Sequence, residues 1–172
     1  RYAVERFAVI RAGQKEMLNA ELSSVARLAV LPGTTVTGQL YASRTLRESY
    51  PHEFEAFSRR YQSLVEQALR SRMYKNVPGV SESIRELTNE LAGFGCGPRD
   101  VIETHTEAMR RLIDYDSPSR AQAYLEEGRL LVLELMGCLA GYYRLQAQTS
   151  RRSWREPPAG GGNTMAAKGG QL

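Results

Sequence analysis

Glu103, His105 and Glu107 stand close together in one helical stretch, and these are residue types that ligate metals or move protons. Their spacing argues against both roles. At i, i+2 and i+4 the two glutamates share a face while the histidine points about 160° away. A helical zinc site wants histidines four apart, but position 109 is Met. A di-iron site wants Glu three residues before His, and position 102 is Ile. The expectation is a half-buried His105 flanked by solvated glutamates, with no metal and no cofactor.

Nucleophilic chemistry has little to draw on. His52 and His105 are the only histidines, and the chain carries no G-x-S-x-G, P-loop or G-x-G-x-x-G. Cys96 and Cys138 are far apart and form no CxxC pair. A Cys/His pair with His105 stays open as an alternative. The favoured reading is two buried or half-buried structural thiols in a reducing compartment, and a chain that is not an enzyme.

Gly137 and Gly141 form a G-x-x-x-G, and Gly128 precedes them on the same helix. Each interior glycine costs a helix about 0.5–1 kcal/mol relative to Ala. Close approach of another helix would offset that cost, either within the chain or between chains. Arg144, Arg151 and Arg152 with Trp154 suggest nucleic-acid contact at first sight. A solvated basic tail is the better reading. From Thr149 onward four basic residues face one acid, so the tail carries +3 of the net +4. The body is close to neutral and shows no basic stripe, which argues against a nucleic-acid partner. No run of 18 apolar residues is present, so no membrane span is expected, and no signal peptide is visible. The chain opens on Arg1 rather than Met, which leaves room for upstream sequence.

The elements that must position these residues are helical. Leu, Ala and Val supply much of a 42% hydrophobic content, and aromatics are sparse. Residues 2–30 follow a helical period, with Gly13 as a potential break and Phe7–Ile10 readable as a strand instead. From Leu31 to Tyr50 the pattern dissolves into an irregular connection, opened by Pro32-Gly33. Pro51 starts a helix whose Phe54, Phe57, Tyr61, Leu64, Ala68 and Met73 share a face at spacings of three and four, apart from a final step of five, ending near Lys75. Ser81 is the expected N-cap of a helix carrying Ile84, Leu87 and Leu91. After Gly95-Cys96-Gly97-Pro98, a further helix aligns Val101, His105, Ala108 and Leu112.

Ser117-Pro118 opens the last helix, where Ala121, Leu125, Gly128, Val132, Leu135, Leu139 and Tyr142 alternate spacings of four and three. Leu130, Leu131, Leu133 and Met136 widen the apolar surface beyond one face, so this helix must be covered on more than one side. Residues 149–172, with Pro157-Pro158 and two glycine runs, read as a disordered basic tail.

Two stretches carry a family resemblance. Val101-Ile102-Glu103-Thr104-His105-Thr106-Glu107-Ala108-Met109 resembles the Val-x-Glu-x-His-x-Glu-x-Met helix of the KaiA C-terminal domain. Glu127-Gly128-Arg129-Leu130-Leu131, running to Leu139 and Tyr143-Arg144, resembles that family's last helix without a gap. Tyr61-Gln62 is similar to a pair in an earlier helix. The N-terminal domain of RsbU-type phosphatases shares this four-helix dimer with little motif identity. The similarity spans 52–147 and is weak over 73–97. Cys138 stands where the KaiA helix has a histidine, which leaves any polar contact there without its donor.

The resemblance implies an all-α, four-helix bundle that forms a homodimer and docks a kinase or ATPase. In the KaiA family that partner is KaiC, whose C-terminal tail sits at the dimer cleft; in RsbU it is a switch kinase. The expected organisation is an N-terminal helix and extended loop over 1–50, the bundle over 51–148, and the tail over 149–172. The expected partner-binding or dimer-interface residues are Glu103, His105, Glu107, Met109, Arg129, Gly137, Leu139, Gly141, Tyr143 and Arg144. The function expected is that of a cytoplasmic, non-catalytic signalling regulator, the alternative being an RsbU-type input or adaptor domain of a larger phosphatase or stress-signalling protein.

Overall fold

The computed structural model describes residues 2–30, 44–73, 79–115 and 117–153, and no strand occurs among them. The helices are α1 (Tyr2–Ala26), followed by a 3-10 turn (Arg27–Ala29), α2 (Leu46–Ser49), α3 (Pro51–Met73), α4 (Val80–Gly93), α5 (Pro98–Tyr115) and α6 (Pro118–Ser153). The chain is all-α.

Three of these helices begin on a proline, whose missing N–H would have no intrahelical acceptor in the first turn. The start of α4 differs from expectation. Gly79, at φ 107°, turns the chain, and Ser83 N–H donates to its carbonyl, so Ser81 lies inside the first turn instead of capping it. At the other end Gly95, at φ 71°, closes α4 in a Schellman arrangement. Cys96 N–H reaches the Leu91 carbonyl at 3.0 Å and Gly95 N–H the Ala92 carbonyl at 2.9 Å.

Residues 2–26 form one unbroken helix. Gly13 does not interrupt it, and Phe7–Ile10 is helical rather than extended. The stretch read as irregular contains α2. Its start is a capping box, in which Thr45 Oγ1 accepts from Glu48 N–H while Thr45 N–H donates to Glu48 Oε2 at 3.1 Å. Residues 31–43, the Met73 side chain and the Lys75 boundary lie outside the described residues.

One core gathers the helices. The faces foreseen on α3, α4 and α5 are buried, with Tyr61, Ile84, Leu87, Leu91 and Val101 at 1% exposure or less. α5 packs on α3, α6 and α1, while α6 packs on α5, α4 and α3 and more lightly on α1. Leu18 and Leu22 of α1 and Leu46 of α2 enter the same core cluster, so α1 and α2 belong to the packed body. Asp100 ties α2 down: its two carboxylate oxygens accept from Leu46 N–H at 2.7 Å and from Gly97 N–H at 2.8 Å. No helix among the described residues is long and apolar enough to cross a membrane.

The tail boundary moves. Residues 149–153 continue α6, with Thr149 Oγ1 donating to Leu145 O and Ser150 Oγ to Gln146 O, each at 3.0 Å. The proline and glycine stretch beyond lies outside the described residues.

Candidate functional site on the outer side of the last helix

α6 is 36 residues long, about 54 Å, and has two unlike sides. Its inner seam follows the expected spacing. Ala121, Leu125, Gly128, Leu135 and Leu139 are buried, and Val132 and Tyr142 are half-buried. The outer side carries Leu130, Leu133 and Leu145 at 62%, 69% and 66% exposure. Gly137 and Gly141 lie between them, both exposed. A contiguous exposed apolar patch marks an interaction surface; Leu130 and Leu133 are neighbours at i, i+3, and Leu145 stands about three turns further along the same outer side.

The three glycines of α6 separate into two kinds. A Cβ on Gly128 would lie 2.8 Å from Met109 Sδ and 3.2 Å from His105 Cε1, so its bare backbone is what lets α5 come close. A Cβ on Gly137 or Gly141 would meet nothing within 4 Å. Within the chain, the propensity cost of those two glycines has no packing to offset it.

Beneath Gly128 lies a polar knot. His105 is 3% exposed, and its Nδ1 is 3.0 Å from Tyr61 Oη, which also donates to the Gly128 carbonyl at 3.2 Å. A phenol has one proton; with that proton on Gly128 O, the His105 contact is made by an Nδ1–H donor, which fixes the tautomer of a neutral ring. Burial pushes the His105 pKa down to about 4 and the Tyr61 pKa up. Neither group ionises near neutral pH. The pair joins α3, α5 and α6 inside the core.

Glu103 and Glu107 occupy the opposite side of α5, as their spacing requires. Glu103 pairs with Arg99 at 3.2 Å. Glu107 receives Arg47 at 2.8 Å, and Arg110 and Arg111 at 3.0 Å each. Burial acts to raise the Glu107 pKa, but hydrogen bonds from Arg111 and Arg47 outweigh it and hold the carboxyl below its usual range. Arg111 also grips both carboxylate oxygens of Glu55, at 2.9 and 2.6 Å, and this lowers the Glu55 pKa. A cleft of about 260 Å³ beside α2 is lined by Arg47, Arg99 and Arg110 together with Glu48, Glu103 and Glu107. Equal numbers of each charge, already bonded to one another or to a cap, leave no excess for an anionic ligand. No cluster of three His, Cys, Asp or Glu side chains at metal-holding distance occurs among the described residues.

The ten expected site residues therefore scatter. His105, Met109 and Leu139 are inside the core at 3% exposure or less and present no surface of their own. Glu103 and Glu107 form part of the ion-pair rim. Arg129 pairs with Glu21 of α1, and Tyr143 Oη donates to the Cys96 carbonyl at 2.9 Å. Gly137, Gly141 and Arg144 are exposed on α6. Leu130, Leu133 and Leu145 join these three on the outer side. Leu130 and Leu133 stood out in sequence as apolar positions off the seam, while Leu145 gave no such signal. Cys96 is buried, which drives its thiol pKa up to about 12, and Cys138 is half-buried.

Comparison with family models, curated proteins and solved structures finds no match to this chain.

Proposed function

We propose that this chain is a non-catalytic signalling regulator, in which α3–α6 form a four-helix bundle that dimerises and binds a KaiC-like ATPase or another kinase. One observation carries the reading: three leucines more than 60% exposed line up with two uncovered glycines on the outer side of α6. A second protein surface would remove that apolar area from water at roughly 25 cal/mol per Å². Choosing a kinase or ATPase as partner rests on the resemblance of 101–109 and 127–144. The mechanism is a population shift: the bound regulator favours one conformation of its partner and supplies no reacting group. The cytoplasm is the compartment that suits two free thiols.

The test has two stages. Tagged wild-type chain is used to capture partners from native lysate beside a Leu130→Glu/Leu133→Glu variant. A kinase or ATPase retained only by wild type, whose ATP turnover changes when purified chain is added, supports the proposal. Reproducible recovery of neither enzyme class overturns it.

A second reading is an RsbU-type input or adaptor unit. The observation favouring it is that α6 runs beyond the packed core, with every residue from Arg144 to Arg151 exposed. A helix leaving the body can pass a rotation or separation to a following domain. An output domain encoded downstream in the same reading frame would select this reading.

A further inference from the structure

We infer that two copies of this chain pack antiparallel along α6, with the two-fold axis level with position 139, so that the projecting end of each α6 covers Leu130 and Leu133 of the other. This rests on the dimeric reading above and adds to it an orientation and a register.

From Arg144 to Arg151 every residue is exposed and none belongs to the core cluster, yet the segment is helical and carries Leu145 at 66% exposure. As the end of a longer helix the segment needs no nucleation of its own, but it has no tertiary contact to keep it from fraying. The surface that lacks a cover has the same length: an axis at 139 sets 144–151 of one copy level with 127–134 of its partner. Leu133 then lies level with the partner's Leu145.

The same axis sets Gly137 level with the partner's Gly141, and Gly141 with the partner's Gly137. Two backbones without Cβ atoms approach closely where the helices cross, which supplies the packing that the single chain denies these residues.

On the outer side, exposed Glu126 and Glu134 precede the axis, and exposed Arg144 and Arg151 follow it. Antiparallel packing brings Glu134 level with the partner's Arg144, and opposes the two helix macrodipoles. Parallel packing would set Glu134 level with the partner's Glu134 and Arg144 with the partner's Arg144. Leu133 with Leu145, Gly137 with Gly141 and Glu134 with Arg144 repeat about one point, Leu130 falling level with the partner's Gln148, and a second copy is the occupant that reproduces this order.

The test uses the full chain with Cys138→Ala and buried Cys96 retained. Leu130→Cys and Gln148→Cys are introduced separately, because an axis at 139 sets these exposed positions level across the interface. Position 130 and its own copy would then stand about 27 Å apart along the helix. Mild oxidation should yield covalent dimers when the two variants are mixed, and few or none from either alone. Covalent dimers from each variant alone, with no gain on mixing, overturn the orientation. Sedimentation equilibrium of wild type separates this failure from that of the parent reading. A folded monomer at every concentration removes the dimer itself, whereas a dimer with the wrong cross-links removes only the antiparallel register. Leu133→Glu, judged folded by its circular dichroism, should raise the dimer dissociation constant at least tenfold; an unchanged constant also overturns the inference.

Discussion

Gly128 of α6 and Met109 of α5 meet so closely that a methyl group added to the glycine would lie 2.8 Å from the methionine sulfur. The contact sits over a fully buried Met109 and beside a His105 ring held by Tyr61, so an added methyl group requires the end of the Met109 side chain to shift within the core. Elsewhere on the same helix, Gly137 and Gly141 face open space.

Gly128→Ala and Gly137→Ala should therefore move stability in opposite directions. The first gains about 0.5–1 kcal/mol of helix propensity. It loses more to overpacking, which costs about 1–3 kcal/mol, for a net destabilisation near 1 kcal/mol. Gly137→Ala adds only the propensity gain. Urea unfolding at low protein concentration, where self-association does not contribute, reads both signs.

Acid should weaken the fold through His105. Burial lowers its folded-state pKa to about 4 from the ordinary histidine value of 6.5. The unfolded chain therefore takes up a proton that the folded chain refuses. The contribution is intact above pH 6.5 and is lost progressively as pH falls toward 4, by about 3 kcal/mol in all. Glu55 and Glu107, both held low by arginine, add a further loss below the usual carboxylate range. Urea midpoints between pH 7 and pH 4 should show this slope. His105→Gln, which can still bond Tyr61, should flatten it between 6.5 and 4 while leaving the carboxylate part in place.

Asp100 should govern α2 more than α5. Asp100→Ala removes the acceptor for both Leu46 N–H and Gly97 N–H, at a cost of about 1–2 kcal/mol. Amide exchange at Leu46–Ser49 should accelerate well before exchange at Val101–Ala108. Uniform acceleration along the chain would show that the carboxylate acts on the whole fold instead.

Arg111→Ala should destabilise the α3–α5 contact by about 1 kcal/mol, since Arg111 bridges Glu55 and Glu107 at a partly exposed rim. The difference between wild type and variant should shrink as salt rises, because screening weakens the wild-type pairs first. Thermal melts across a salt series measure it.

The two thiols should differ in reactivity. Cys96 is buried with its thiol pKa raised, so Ellman's reagent should modify Cys138 first in the native state and reach Cys96 only on unfolding.

Much of the fold was legible because its signals are local. Pro51, Pro98 and Pro118 marked helix starts, and spacings of three and four on α3–α6 named the buried faces correctly. His105 was separable from Glu103 and Glu107 by angular position alone, and the structure places them on opposite sides of α5. The α2 capping box was also present as Thr45-Leu46-Arg47-Glu48, but the surrounding threonines and glycine masked it.

Helical period, proline and glycine by themselves determined α3 to α6, their faces and the two-sidedness of α6, because each acts over a turn or two of one segment. Tertiary structure alone decided what covers each face. Glu21 meets Arg129 and Leu46 meets Asp100 across long stretches of chain, and one glycine of α6 is packed while two are bare. Periodicity gives the direction of a side chain from its own helix axis; which element arrives there depends on how distant segments share one core.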